Sequence, residues 1–353
     1  MTSASTTSSE PLPDPRRVWV RAPNWVGDAL MATPALRALR RARPRAEIVL
    51  CGRPWVGELL RGIGSFDRFV PDAGSGWRGL ASQLRPLRRA RFDWAILLPD
   101  SPRNALAPWL ARVPVRVGYA RDGLRRALLS HPLAPPSDPD GRRRAISMIE
   151  RYLRLVRPLG CPDAGLELDL AVDEEARDAL SRRLERAGVA DAEPLLAVCP
   201  GASFGSSKLW PAERFARACE LLAERGLRPV LAPGPGEEGI AGDVAARSGA
   251  GCVVLTDPTI RLPELAALIE RARLLLCNDT GPRQVAVALD TPAVVLMGPT
   301  DPAHTAHWLE RQRVLREDVD CSPCHLKTCP IDHRCMTRIR PERVAAAARE
   351  LLA

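Results

Sequence analysis

The stretch VWVRAPNWVGDALMATPALRALRRA, residues 18–42, changes its hydrophobic pattern part-way along. The run VWV is apolar on both faces of a strand, whereas the second half places apolar side chains at helical spacing. Thr33–Pro34 is typical of an N-cap residue followed by proline at the first helical position, which predicts a short turn of helix before the main one. The connection between strand and helix carries one carboxylate, Asp28, close to Trp25. A buried carboxylate without a partner is costly, so a nearby positive group or a function is expected.

The same alternation of apolar strands and amphipathic helices continues along the chain. Strands that are apolar on both faces are typical of a parallel sheet covered by helices on two sides. Repeated strand–helix units therefore predict a doubly wound α/β fold. The strand segments are VWV, EIVLCG, FDWAILLP and VRVGYA in the first half, and LLAVCPG, RPVLAPG, CVVLT, LLLCND and AVVLMG in the second. We predict two Rossmann-like domains in tandem, with a ligand cleft at the carboxyl edges of their sheets.

Length and composition predict where the domains begin and end. A chain of 353 residues is long enough for two cores. Residues 1–15 are rich in Ser, Thr and Pro, so they are expected to form a disordered tail. They lack the apolar core of a signal peptide. A Pro-rich break at 131–143 and a long amphipathic helix then separate a domain over 16–165 from one over 166–340.

No run approaches the ~20 apolar residues of a membrane span. Ten cysteines without a secretory signal indicate reduced thiols and a cytoplasmic protein.

The charge of the chain is carried almost entirely by arginine. The net charge is +9, and of 51 basic residues only Lys208 and Lys327 are lysines. Arginine runs concentrate in the first half, in RALRRARPR, RPLRRAR, RDGLRR and GRRRAI. Such runs suit phosphates of a nucleic acid, an anionic lipid surface or a phosphorylated substrate, and they also suit plainly solvated helix faces. An aromatic content of 4% disfavours a nucleic-acid-binding module, which stacks bases on aromatic rings.

Two strand-to-helix loops of the second half suit an anion. The loop GASFGSSKLWP, residues 201–211, offers backbone N–H groups, hydroxyls and Lys208 at a helix start. The loop NDTGPRQVA, residues 278–286, places N–H groups where the next helix begins. The alternatives are an exposed loop lysine in the first case and plain N-capping by Asp279 or Thr280 in the second.

A third loop, GPGEEG at 234–239, matches the dinucleotide pattern G-x-G-x-x-G. Glu237 and Glu238 would repel a pyrophosphate at the helix N-terminus, but an acid there can accept hydrogen bonds from ribose hydroxyls. A nicotinamide-dependent oxidoreductase is therefore the less favoured alternative.

Asp28 follows the first strand, so we expect it at the cleft edge opposite the two anion loops. A carboxylate in that place can take a proton from an attacking hydroxyl as a general base. Its alternative role is to cap the first helix.

Several segments together resemble a known family. APNWVGDALMATPAL, PGASFGSSKLWP, CNDTGPRQVAVAL, MGPTDP and SPRNALAPWLARVPVRVGYARDGLRRALLSHPL are similar to segments of the ADP-heptose:lipopolysaccharide heptosyltransferases of glycosyltransferase family 9, most of all to the heptosyltransferase II branch. The resemblance runs from about residue 17 to 340. It implies a GT-B fold and inverting transfer of L-glycero-D-manno-heptose from ADP-heptose to the inner core of lipopolysaccharide. It also implies a last helix, 341–353, that can pack back on the N-terminal domain.

The resemblance assigns roles to individual residues. Asp28 matches the family's general base, with Asn24 and Trp25 beside it as candidates for acceptor binding. The implied donor-binding residues are Ser206, Ser207, Lys208, Glu237, Asp279, Thr280, Gly281 and Gln284. Family members commonly carry histidine at the position of Gln284, and a glutamine can donate a hydrogen bond but cannot hold a positive charge.

The segment CSPCHLKTCPIDHRC contains four closely spaced cysteines, Cys321, Cys324, Cys329 and Cys335. Four such thiols can hold a structural zinc ion, pack as free thiols or form a labile disulfide. Their spacing does not fit a nucleic-acid zinc ribbon. The D-x-D strings at 138–140 and 318–320 do not follow strands, so we expect transfer without a catalytic metal or other cofactor, with Lys208 and helix-start N–H groups neutralising the leaving ADP.

The predicted partners follow from these assignments. They are ADP-heptose, a lipopolysaccharide core acceptor and the inner membrane surface as a peripheral contact, with no nucleic acid. A related ADP-sugar glycosyltransferase that acts on another acceptor, such as a protein hydroxyl, is the main alternative.

Overall fold

The computed structural model describes residues 12–74, 76–138, 140 and 144–353. Residues 1–11 of the predicted tail lie outside this part of the chain. The four residues that follow them belong to the first domain, because Pro15 is buried and Asp14 pairs with Arg43 at 3.0 Å.

The first domain contains one sheet of six parallel strands in the order β3-β2-β1-β4-β5-β6. Its strands are β1 (Arg17–Arg21), β2 (Glu47–Gly52), β3 (Arg68–Pro71), β4 (Trp94–Leu97), β5 (Val115–Tyr119) and β6 (His131–Leu133). Val20 on the central strand pairs with Leu50 on one side and Ile96 on the other. All three side chains are buried, as strands covered on both faces require.

Seven α-helices of the described residues belong to this sheet. They are α1 (Val26–Met31), α2 (Thr33–Ala42), α3 (Pro54–Leu59), α4 (Gly76–Ala90), α5 (Pro102–Leu110), α6 (Gly123–Leu128) and α7 (Met148–Val156). The predicted short helix before the main one is confirmed as α1. Thr33 was expected to cap α2, but its hydroxyl donates to the Leu30 carbonyl and accepts from the Asp169 N–H instead.

The second domain repeats the architecture with the strand order β12-β11-β10-β7-β8-β9, again all parallel. Its strands are β7 (Leu195–Cys199), β8 (Arg228–Leu231), β9 (Val253–Val254), β10 (Leu274–Asn278), β11 (Ala293–Leu296) and β12 (Gln312–Leu315). Its helices are α8 (Glu174–Arg186), α9 (Ala212–Ala223), α10 (Glu238–Arg247), α11 (Leu262–Arg271), α12 (Gly281–Ala288), α13 (Arg334–Thr337) and α14 (Pro341–Leu352). Throughout the described ranges, the helices are too short or too polar to cross a membrane.

The two domains meet later in the chain than the predicted boundary at 165. Arg37 on α2 donates to the carbonyl oxygens of Ala164 and Glu167 and pairs with Asp169. These contacts attach the connecting segment to the first domain. The second domain therefore begins at α8, which packs on α11.

Among the described residues, the last helix packs on the second domain and not on the first, so that expectation is wrong. α14 lies against α9, β11 and β12 of the second domain. Its apolar side, with Val344, Ala347 and Ala348, joins the core formed by Phe215 and Leu222. Because its alanine side chains are short, this helix packs closely and completes that core.

The domains touch through α1 and α12, whose backbones approach closely at two glycines. A Cβ atom on Gly281 would lie 2.7 Å from the Val26 Cβ, and one on Gly27 would lie 3.1 Å from the Gln284 Cγ. An exposed ion pair between Arg261 and Glu58, at 3.5 Å, adds a second interdomain contact. The lack of a side chain at Gly281 thus allows α1 of the first domain to lie close to the start of α12 in the second.

Replacing Gly281 by alanine is expected to lower the free energy of unfolding by about 1–3 kcal/mol, because the added methyl group must push α1 away from α12. Gly239 is the matched control, since it also lies in the first turn of a helix but has no atom near its missing side chain. Gly239→Ala should be neutral or stabilise by up to about 1 kcal/mol. Urea unfolding of both variants checks this, and equal stabilities would contradict the close crossing.

Candidate active site

Asp28 lies in the first turn of α1, directly beyond the carboxyl end of β1. Its side chain accepts no hydrogen bond from the part of the chain that the structure describes. Burial raises the pKa of this carboxyl to about 6, although the charges of Lys208, His304 and Arg151 lower it. Lys208 and His304 belong to the second domain, so Asp28 faces across the interdomain cleft. It does not cap α1, because Trp25 holds the N-cap position.

Lys208 lies on the opposite wall, in a short 3-10 turn (Ser206–Lys208) after β7. Its Nζ donates to the Asp279 backbone oxygen at 2.6 Å and to the Asp279 Oδ2 at 3.0 Å. The ammonium also lies 5.4 Å from the centroid of the Phe204 ring. The side chain is largely buried in these contacts, so the alternative of an exposed loop lysine is wrong.

Asp279, at the end of β10, connects three loops. Its carboxylate accepts from Lys208, from Arg283 on α12 at 3.0 Å and from the Thr300 hydroxyl at 2.8 Å. Burial raises the pKa of Asp279, but the charges of Lys208 and Arg283 and the hydrogen bonds from Lys208 and Thr300 outweigh it, so the net shift is downwards. The carboxylate is therefore ionised and fixes both cations. β7 and β10 are the neighbouring strands at which the chain reverses direction across the sheet, the usual place for a ligand in this fold.

The start of α12 offers backbone donors beside this cluster. Thr280 holds the N-cap position of α12, but neither its side chain nor that of Asp279 caps the helix, because the Thr280 hydroxyl donates to the Asn278 carbonyl and the Asp279 carboxylate is occupied as described. The N–H groups of Thr280 and Gly281 find no acceptor among the described residues. Free N–H groups at a helix start next to a lysine suit a bound phosphate.

Asn278 holds the two anion loops together, and the sequence did not single it out. Its amide donates to the Pro200 carbonyl at 2.7 Å and accepts from the Trp210 N–H at 3.3 Å. Because Asn278 is fully buried, these bonds fix the loop after β7 to the end of β10.

Glu237 precedes α10 and turns back over the end of β7. Its Oε2 accepts from the Gly234 N–H at 2.9 Å, and its carboxylate lies against Gly201, where any side chain would collide with it. The Ser203 hydroxyl approaches Oε1 only at 3.4 Å. Oε1 is therefore able to accept from a ribose hydroxyl.

Gln284 lies on α12 behind the crossing with α1. Its Oε1 contacts the Nε2 of His307 at 3.1 Å, and its amide nitrogen has no partner within the described segments. Burial and the nearby Arg283 lower the pKa of His307 to about 4, so the imidazole is neutral and donates through Nε2. The chain thus places a neutral histidine next to the glutamine that replaces the family's histidine.

The Cys-rich segment, 321–335, clasps the loop that carries Lys208. Both hydrogen-bond donors of Ser207 are taken by this segment, the N–H by the Lys327 carbonyl at 3.0 Å and the hydroxyl by the Leu326 carbonyl. The Nε2 of His333 donates to the Ser207 carbonyl at 2.7 Å. The Ser207 side chain therefore anchors the clasp, whereas the exposed Ser206 keeps a free hydroxyl.

Within the described residues, the cysteines of this segment are not grouped as metal ligands. All four are free thiols, and the described residues contain no group of three or more His, Cys, Asp or Glu side chains arranged to hold a metal ion. The arrangement gives no support to structural zinc. Cys335 and Met336 instead pack on Gly298, the residue before the Thr300 loop.

The first-domain side of the cleft is built around a buried ion pair. Arg21, at the end of β1, pairs with Asp72 at 2.6 Å and donates to the Asn24 side-chain oxygen at 3.2 Å. These bonds fix the turn before α1. They leave Trp25 about half exposed beside Asp28.

Arg151 and His304 also face Asp28, and the sequence identified neither. Arg151 on α7 pairs with Asp100 and lies 4.2 Å from the centroid of the Tyr119 ring. His304, in the turn after β11, hydrogen-bonds through Nδ1 to the Ile146 carbonyl of the segment before α7, at 3.2 Å. That bond crosses the cleft. The positive groups around Asp28 thus come from both domains.

Taken together, the cleft presents one acid with a raised pKa on one wall and a lysine with free helix-start N–H groups on the other. Such a site can remove a proton from a nucleophile and stabilise an anionic leaving group.

Comparison with known proteins agrees with this geometry. The model of glycosyltransferase family 9 (heptosyltransferase) matches residues 80–334. The chain belongs to this family. It is therefore a glycosyltransferase, and its two Rossmann-like domains form the predicted GT-B fold.

Individual members of family 9 resemble the chain over most of its length. Lipopolysaccharide heptosyltransferase 2 of Salmonella typhimurium is 30% identical over 85% of this chain and 88% of its own. Escherichia coli ADP-heptose lps heptosyltransferase II superposes with a TM-score of 0.77 at 28% identity, over 95% of this chain and 98% of its own. A family 9 glycosyltransferase of Veillonella parvula gives a TM-score of 0.81 at 24% identity, over 96% and 97% of the two chains, and supports the fold. The nicotinamide alternative is not favoured.

Lys208→Ala is expected to weaken ADP binding about ten- to a hundredfold, because it removes a charge-assisted hydrogen bond to phosphate. Lys327→Ala is the matched control, since it is the only other lysine and contributes its backbone rather than its side chain to the clasp. Titration calorimetry with ADP compares the two variants. If both bound ADP as tightly as the parent protein, Lys208 would serve only to fix Asp279.

Proposed function

We propose that this protein transfers L-glycero-D-manno-heptose from ADP-heptose to the inner core of lipopolysaccharide, with inversion at the anomeric carbon. The observation that carries the proposal is the position of Asp28, an acid with no hydrogen-bond partner among the described residues, which faces Lys208 and the start of α12 across the cleft. Several relatives are named lipopolysaccharide or lipooligosaccharide heptosyltransferase 2, which supports the acceptor, and the name of the Escherichia coli ADP-heptose lps heptosyltransferase II supports the donor.

The donor is proposed to lie on the second domain. Lys208, the Ser206 hydroxyl and the N–H groups of Thr280 and Gly281 hold its diphosphate, while Glu237 accepts from the ribose. Gln284 donates its free amide N–H to a phosphate or sugar oxygen. Asp279 contacts no donor atom in this scheme, because its oxygens are occupied by Lys208, Arg283 and Thr300. Asp279 and Ser207 are thus positioning residues.

The acceptor is proposed to approach from the first domain, beside Asn24 and Trp25. Its heptose hydroxyl oxygen bonds to the anomeric carbon of the donor while Asp28 takes the hydroxyl proton. The bond between that carbon and the β-phosphate oxygen breaks, and its electron pair leaves with ADP. Lys208 and the N–H groups at α12 neutralise the charge that develops on ADP, which is the role of a divalent metal in other transferases.

The peripheral contact with the inner membrane surface is also proposed, since the acceptor named for the relatives is a lipopolysaccharide. The arginines of the first domain suit such a surface by charge.

Asp28→Asn is expected to lower transfer by about a thousandfold or more, while ADP affinity stays within about threefold of the parent value. In the parent enzyme, kcat/KM should fall tenfold per pH unit below about pH 6, because the raised pKa of Asp28 leaves the base protonated there. The acceptor for this profile is a core oligosaccharide without phosphomonoesters, so that only the enzyme titrates. Near-parental turnover of the Asn variant would show that Asp28 is not the base.

The stability of Asp28→Asn shows whether a loss of transfer could come from a loss of folding. The pKa of Asp28 is raised in the folded state, so ionisation of its carboxyl destabilises the protein as pH rises from about 4 to about 6. Above that range Asp28→Asn should be the more stable protein, by about 2–3 kcal/mol, and at pH 4 the difference should fall below about 1 kcal/mol. Urea unfolding at pH 4 and pH 8 measures the difference.

A further inference from the structure

Three helices cover one side of the first domain's sheet. Leu87 on α4, Ala105 on α5 and Leu128 on α6 are buried in one apolar cluster with Trp19 and Val49 of the sheet. α5 contacts both α4 and α6. Their outer surfaces therefore form one continuous surface, which we call the α4–α6 face.

The α4–α6 face is strongly basic. Residues 73–92 and 101–121 contain no aspartate or glutamate. Eight exposed arginines on these helices and their ends have no carboxylate partner among the described residues: Arg78, Arg85, Arg88, Arg89, Arg91, Arg103, Arg112 and Arg126. The nearby acids are occupied, since Asp100 pairs with Arg151 and Asp122 accepts from the Arg125 N–H.

Large apolar side chains stand among these arginines. Trp77 is 75% exposed, Leu124 is 66% exposed and Trp109 is 45% exposed. Exposing two tryptophans and a leucine to water is unfavourable unless another apolar phase covers them. Tryptophan beside arginine is the combination that enters the headgroup region of a bilayer, where the ring is half-buried and the guanidinium contacts phosphate.

We propose that the α4–α6 face binds the surface of an anionic phospholipid bilayer. Arginine alone would equally suit a nucleic acid, but Leu124 has no ring on which a base can stack, and the apolar residues are spread over three helices. This inference rests on the proposed function in one respect: the proposed acceptor is a lipopolysaccharide, which is anchored in a bilayer. It adds the part of the chain that contacts the membrane and the lipid chemistry that it selects.

The location of the face relative to the cleft fits this partner. α4 and α6 begin just after β3 and β5, at the carboxyl edge of the same sheet from which Asp28 projects. Trp77 and Leu124 lie in the first turns of these helices. The apolar part of the face therefore begins at the rim of the cleft, where an acceptor anchored in a bilayer would enter.

The test is co-sedimentation of the full chain with vesicles of phosphatidylcholine, alone or mixed with phosphatidylglycerol. The parent protein should sediment with the mixed vesicles at moderate salt and stay in solution with pure phosphatidylcholine. The triple variant Arg85→Glu, Arg88→Glu and Arg89→Glu should bind the mixed vesicles at least about a hundredfold more weakly, because removing three arginines at about fivefold each already gives that loss and the new carboxylates add repulsion.

A matched control reverses three exposed arginines of the second domain that also lack a carboxylate partner in the described structure, Arg182, Arg225 and Arg247. The net charge of this control equals that of the first variant, so it should still bind. The double variant Trp77→Ser and Trp109→Ser should bind several-fold more weakly than the parent protein at unchanged charge. Equal losses from both arginine variants would overturn the proposal, because binding would then follow net charge.

Two further measurements distinguish the other outcomes. Transfer to a core oligosaccharide without acyl chains should be unchanged in the α4–α6 variants, so a failure of the proposed activity is separable from a failure of this surface. If the parent protein bound duplex DNA more tightly than the mixed vesicles at the same salt, the face would be a nucleic-acid surface and the inference would be wrong.

Discussion

The close crossing of α1 and α12 determines what this cleft can do. Gly281 leaves no room for a side chain against Val26, so the helix that carries Asp28 lies directly against the helix whose start offers free N–H groups. Each domain alone would present half of a site. The crossing places an acid from one domain opposite the cations of the other, and the resulting burial raises the pKa of the acid to about 6. A carboxyl with that pKa is ionised at neutral pH yet remains a better proton acceptor than an exposed one.

A second buried carboxylate has the opposite role. Asp279 is surrounded by Lys208, Arg283 and Thr300, and its pKa is lowered. The two acids of the cleft thus differ because Asp279 is hydrogen-bonded to two cations, whereas Asp28 accepts no hydrogen bond from the described residues. The partnered acid orients cations for the donor and the unpartnered acid is left for chemistry, which is the division expected where environments separate two pKa values.

The fold and much of the site could be predicted from the sequence because they depend on local patterns. Short apolar strands alternating with helices predicted both sheets, and the helix starts after β1, β7 and β10 predicted Asp28, Lys208 and Thr280–Gly281. Contacts between distant segments could not be predicted in this way. The clasp of 321–335 on Ser207, the histidine that meets Gln284 and the bond from His304 to Ile146 join residues with no shared periodicity. The packing of α14 was predicted wrongly for the same reason, since its alanines fit either domain by pattern alone.

The central claim is that Asp28 lies in a low-dielectric cleft opposite the site of an anionic leaving group. Titration of the Asp28 carboxyl carbon by carbon-13 NMR, assigned with Asp28→Asn, tests this most directly. We expect the pKa of Asp28 to be about 6 in the free protein and to rise further when ADP is bound, because the diphosphate adds negative charge across the cleft. A pKa near the ordinary 3.8 that does not respond to ADP would contradict it.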